Sequence, residues 1–167
     1  MLFDNLLGKK KPDEALGNAG ARSGAHIQYS PKLVPDLQAE HRALLEGVDK
    51  LGQAHAAGDL AVAADLLEKF GGQLTAHLLL EDSRFYGYLE KGLVRDPRTR
   101  ALVRQFRREM GSMGKTALSF LAKYRNIAEH PAFPGDFAAD LASLGNMLRE
   151  RIEREERTLY PMYLPAY

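Results

Sequence analysis

The chain contains no cysteine and no tryptophan. Without cysteine there are no disulfides, no thiolate metal ligands and no thiol nucleophile. Charge of one sign is not in excess either, with 23 basic against 22 acidic residues. So balanced a surface gives no broad electrostatic attraction for nucleic acid, and none is expected as a partner. No run approaches the roughly 18 consecutive apolar residues of a membrane span, so no transmembrane segment is expected. Strand-like alternation of useful length, internal repeats and a phosphate-cradling GxxxxGK loop are also lacking. No serine is spaced to pair with a histidine. Nucleophilic catalysis therefore has no support, and the chain reads as a binding protein, not an enzyme.

What is present is helical periodicity over a length of 167 residues, enough for one domain with a sizeable core. Residues 1–29 read as an N-terminal extension and residues 30–167 as the folded domain. The start, MLFDNLLGKKKPDEA, has an acidic residue at Asp4 and its lysines on the wrong side for a secretory signal, which predicts a cytoplasmic protein. Leu2, Phe3, Leu6 and Leu7 could nonetheless dock a partner protein. Residues 12–29 have linker composition, and His26 within them is expected to be solvated.

Pro31 and Pro35 precede a first helix predicted from Pro35 to Ala57, with Leu37, His41, Leu44, Leu45, Val48 and Leu51 along one face. Gly58 and Asp59 end it and cap a second, predicted from Leu60 to Lys91. Its stripe is Ala63, Leu66, Phe70, Leu74, His77, Glu81, Phe85 and Tyr88, and the Gly71–Gly72 pair within it predicts a close contact or a kink. Asp96–Pro97 opens a third helix running to about Ile127, with Val103, Phe106, Met110, Met113, Ala117, Phe120 and Tyr124 inward. Five arginines between Arg98 and Arg108 make an outer face of this helix a second candidate partner surface. The loop EHPAFPGD leads to a fourth helix, about Asp136 to Tyr160, with Phe137, Leu141, Leu144, Leu148, Arg151, Glu155 and Leu159 inward. Four such helices on short connections predict an all-α, antiparallel up-down-up-down four-helix bundle.

At about 1.5 Å of rise per residue, His41, His77 with Glu81, and Arg151 with Glu155 fall at a common depth in that bundle. Buried histidine and carboxylate one turn apart either coordinate a cation or find partners among themselves, since an unpaired buried charge is costly. Imidazole and carboxylate on facing helices suit iron, manganese or zinc. His41 can equally be a hydrogen-bonded core residue, and Glu155 with Glu156 a solvated charged face. His55 and His130, at helix ends, are assigned no chemistry.

The lone histidine in EHRALLEGV, the HxxxE of HLLLE and the ending RIEREERTLYPMY resemble the hemerythrin HHE cation-binding family across about residues 33–163. The resemblance implies a four-helix bundle built to hold two non-haem irons, used to bind dioxygen, sense oxygen or redox state, or store iron. Carried over residue by residue, it implies His41, His77, Glu81 and Glu155 as metal ligands. Arg151 stands where the helix 4 histidine would be, and no histidine lies between Asp96 and Glu129. The ligand set therefore implies one iron or other divalent ion rather than two, or none. Arg151 is expected to lie between Glu81 and Glu155 and substitute its charge for a cation's, with Gly111 and Gly114 giving it room. Two functions follow: metal, oxygen or redox sensing, or a metal-free regulatory module that binds a protein partner.

Overall fold

The computed structural model describes residues 27–93 and 96–165. Expectations for the first 26 residues, His26 among them, lie outside the described residues. Four helices follow in order: α1 (Leu33–Ala57), α2 (Leu60–Leu80), α3 (Pro97–Tyr124) and α4 (Phe137–Arg154). No strand occurs among the described residues. α1 packs on α2 and α4, α2 on α3, and α3 on α4, closing a four-helix ring. The two-residue connection between α1 and α2 makes those neighbours antiparallel.

Local chemistry sets the boundaries. Gly58 ends α1 in the left-handed region, at φ 70°, and returns its N–H to the Ala54 and His55 carbonyls. The Asp59 side chain then accepts from Val62 N at 3.0 Å, and Asp96 caps α3 by accepting from Thr99 N at 2.8 Å. α1 starts two residues before the expected Pro35, which sits in its first turn, where the missing N–H does no harm. Of the glycine pair, Gly71 is a close-contact position, since a Cβ there would meet Leu121 Cδ1 at 3.3 Å, while Gly72 faces open space. α2 and α4 differ from expectation at their ends. Each passes from α into π-helical turns, at Glu81–Tyr86 and Leu89–Leu93 after α2 and at Glu155–Leu159 after α4, the last followed by a 3-10 turn, Tyr160–Met162.

The core forms two apolar clusters. One gathers Leu44, Val48, Leu51, Phe70, Leu74, Phe120, Tyr124, Phe137 and Leu148 with their neighbours. The other gathers Leu33, Leu37, Phe85, Tyr86, Val103, Phe106, Leu159, Tyr160 and Tyr163. On three helices a buried polar residue falls in the sequence interval between the clusters: His41 on α1, His77 and then Glu81 along α2, and Arg151 followed by Glu155 along α4. The expected polar layer exists. Burial also refines the stripes: on α2 Leu67 is buried where Leu66 is half-buried, and on α3 Gly114 is buried where Met113 is half-buried.

Candidate metal centre

His41 and His77 face each other from α1 and α2, their ring centroids 4.7 Å apart. Each is turned by a carboxylate outside the cluster: His41 Nδ1 lies 2.8 Å from Glu156 Oε1, and His77 Nδ1 lies 2.8 Å from Glu40 Oε2. A carboxylate can only accept, so each Nδ1 carries a hydrogen and the neutral ring keeps its lone pair on Nε2. This second layer of carboxylates is how metal-ligating histidines are oriented and made more basic. The sequence reading has no place for Glu40 and gives Glu156 only a solvated face, although each neighbours a candidate in sequence: Glu40 precedes His41 and Glu156 follows Glu155.

Donor atoms of His41, His77 and Glu81 all lie within 4.8 Å of one another, and all three residues are buried. Glu155 is not of that group but adjoins it, its Oε2 standing 3.5 Å from His41 Nε2. Its other oxygen is taken by the Arg151 Nε–H. Arg151 differs from expectation. It bonds Glu155 but no bond to Glu81 is found among the described residues; its remaining N–H groups donate to Tyr86 Oη at 2.8 Å, the Phe106 carbonyl at 2.9 Å and Glu109 at 3.3 Å. The reason is reach: from α4 the fork opens toward α3, where the Phe106 ring lies 4.8 Å beneath the guanidinium. The glycines do not make its space either. Gly111 is exposed with nothing near its absent Cβ, and the space at Gly114 is filled by Leu78, whose Cδ1 an added Cβ would meet at 3.1 Å.

Glu81 is held instead by Tyr160, whose hydroxyl donates to its Oε1 at 3.2 Å and lies 3.2 Å from His41 Nε2. Neither Tyr160 nor Tyr86 belonged to the expected stripes. The π-helical turn beginning at Glu155, where the Tyr160 N–H bonds the Glu155 carbonyl, advances the register and turns Tyr160 inward beside Leu159. The turn beginning at Glu81 does the same for Tyr86 beside Phe85. A periodicity of 3.6 carried through these segments misplaces both residues, and no local sequence signal marks the change.

The electrostatics follow from burial. Burial, reinforced by the Glu155 charge, pushes the Glu81 carboxyl up to about 8. Burial opposes a charge on His41, yet the bonds to Glu155 and Glu156 outweigh it and its pKa is raised. Burial dominates at His77 and lowers its pKa despite the bond to Glu40. Two imidazoles and a carboxylate thus compete for protons in a site poor in water, a donor set that suits a divalent or trivalent first-row cation. On the side of α3 and α4 the Arg151 guanidinium stands among Glu155, Glu109 and Tyr86, and no second group of three or more His, Asp or Glu with converging donors exists among the described residues.

A helical bundle with imidazole and carboxylate donors converging in its interior is the arrangement of the metal-binding four-helix proteins. The profile of the hemerythrin HHE cation binding domain matches residues 32–163, and the chain belongs to that family. No curated protein matches it, and no solved structure does.

Proposed function

We propose that this chain is a non-enzymatic cation-binding protein that holds one metal ion, at His41, His77 and Glu81 with Glu155 adjoining, and that it works in metal, oxygen or redox sensing. The observation that carries the reading is the pair of histidines whose Nδ1 atoms are engaged by Glu156 and Glu40, which leaves the Nε2 lone pairs to the interior, that of His41 beside the Tyr160 hydroxyl. Arg151 supports a reduced site, because a fixed positive charge among Glu155, Glu109 and Tyr86 repels a second cation. The ion would supply Lewis acidity or a redox couple; the protein's part is to fix the donors and exclude water. A cytoplasmic setting belongs to the same reading, and no helix among the described residues is long and apolar enough to cross a membrane.

The test is elemental analysis of untagged protein purified without chelators from iron-supplemented cells, beside the His77→Ala variant. About one iron, manganese or zinc per chain, absent from the variant, is the expected result. Two ions per chain would restore a dinuclear site. A folded protein that takes up no metal would favour a second reading, a regulatory module that binds a protein partner through its N-terminal segment or the arginine face of α3. That reading has its own support: every described buried side-chain polar atom already has a hydrogen-bond partner.

A further inference from the structure

We propose that Tyr160 is a further ligand of this site, its phenolate oxygen joining His41, His77 and Glu81 around a ferric ion. The inference rests on the single-cation reading above and adds a residue type that the chain's HxxxE pattern does not contain. Tyr160 reaches the cluster only because the π-helical turn before it shifts the register of the chain leaving α4. Its hydroxyl then touches two of the three converging residues, at 3.2 Å from His41 Nε2 and 3.2 Å from Glu81 Oε1. As an O–H···O hydrogen bond the second distance is long, the usual value being about 2.7–2.8 Å. The same oxygen stands within reach of a cation that His41 and Glu81 would share.

The ring cannot swing away. It stacks on the His41 imidazole at 5.6 Å with an interplanar angle of 7°, is backed by Phe85 at 5.0 Å, and is buried. Charge sets a condition on it: burial and the Glu81 and Glu155 charges hold the Tyr160 phenol far above its ordinary value, so its proton leaves only when a cation enters the site. Two neutral imidazoles and one carboxylate leave a trivalent ion poorly compensated in a dry site, and Glu155 is shared with Arg151. A phenolate adds the missing negative charge and is a hard oxygen donor suited to Fe(III). Binding forms one Fe–O bond and breaks the phenol O–H bond, the proton leaving to solvent; no electron is transferred.

The experiment titrates chelator-stripped full-length protein with ferric nitrilotriacetate and follows visible absorption and resonance Raman scattering. A phenolate-to-iron charge-transfer band, saturating at one iron per chain and carrying tyrosine ring modes in the Raman spectrum, is expected. Y160F should take up iron without the band, while Tyr86→Phe, which removes the other nearby phenol, should keep it. Iron bound at one per chain with no band in the unaltered protein overturns the ligand assignment and leaves the single-cation reading standing. So does a band that survives in Y160F. Absence of iron uptake by the unaltered protein overturns both. Should Y160F fail to fold, Tyr86→Phe decides: a band that it keeps supports Tyr160, and a band that it loses overturns the assignment.

Discussion

Arg151 is the residue whose removal should be felt most. Its guanidinium satisfies Glu155, Tyr86 and the Phe106 carbonyl in one buried fork. Arg151→Ala leaves the Glu155 carboxylate with only the more distant His41 as a buried counter-charge and should destabilise the protein by roughly 3–5 kcal/mol, read from urea unfolding. Arg151→His tests the other side of the same position. It completes a helix 4 HxxxE with Glu155 and should raise the metal content above that of the unaltered protein; unchanged uptake would argue against a ligand position there. The carboxylates behind the histidines make a subtler case. Glu40 is partly exposed, so Glu40→Gln should leave the fold intact while weakening metal binding by about 10–100-fold in a competition titration, because His77 keeps an acceptor but loses the negative charge that makes its ring more basic.

At the scale of elements, the π-helical turns decide what the bundle can bind. They lie where the polar layer meets the aromatic cluster of Phe85, Tyr86, Tyr160 and Tyr163, and they bring into the interior side chains that a regular helix would leave on the flank. Deleting Arg157, an exposed residue within Glu155–Leu159, should close that segment to α geometry, with the Tyr160 N–H still on the Glu155 carbonyl but now one residue nearer, and leave everything beyond it in place. Helical circular dichroism should be kept. The packing of Tyr160 on His41 should be kept as well, seen as an unchanged near-ultraviolet spectrum and metal affinity; loss of both would mean that the wide turn itself, and not only the register it sets, serves the site. The helices themselves were readable from periodicity and caps, since Gly58–Asp59 and Asp96–Pro97 act through chemistry confined to a few adjacent residues. Asp59→Ala, for instance, should cost only about 1 kcal/mol of stability.

The whole molecule answers to pH through its polar layer. Glu81, pushed up to about 8, keeps its proton in the folded chain well above the value at which the unfolded chain releases it, so stability falls as pH rises across that window. His41, with a raised pKa, contributes stability that is present below its unfolded value near 6.5 and lost as pH rises through the folded one. His77, lowered, acts in the opposite sense but only below 6.5, where the unfolded chain gains a proton that the fold refuses. Between pH 6.5 and about 8 the two destabilising contributions stand alone, and the melting temperature of the metal-free protein should decline. Metal displaces those protons, so metal-dependent stabilisation should grow over the same range. Calorimetric scans of both forms check the sign, and a metal-free melting temperature that rises with pH would contradict it.

The sequence by itself determined the helices, their inward faces, the family, and the common depth of His41, His77, Glu81, Arg151 and Glu155. All of these follow from a regular rise and a regular period, and such information is additive along a chain. Tertiary structure alone decided which polar groups meet: that Arg151 bonds Glu109, Tyr86 and Phe106 and not Glu81, that Glu40 and Glu156 hold the histidines, and that Tyr160 enters the cluster. These depend on reach across helices and on a local change of helical register. A side chain near the end of its span, or a backbone between α and π geometry, is settled by what the neighbouring helices offer, and that exists only once the bundle has closed.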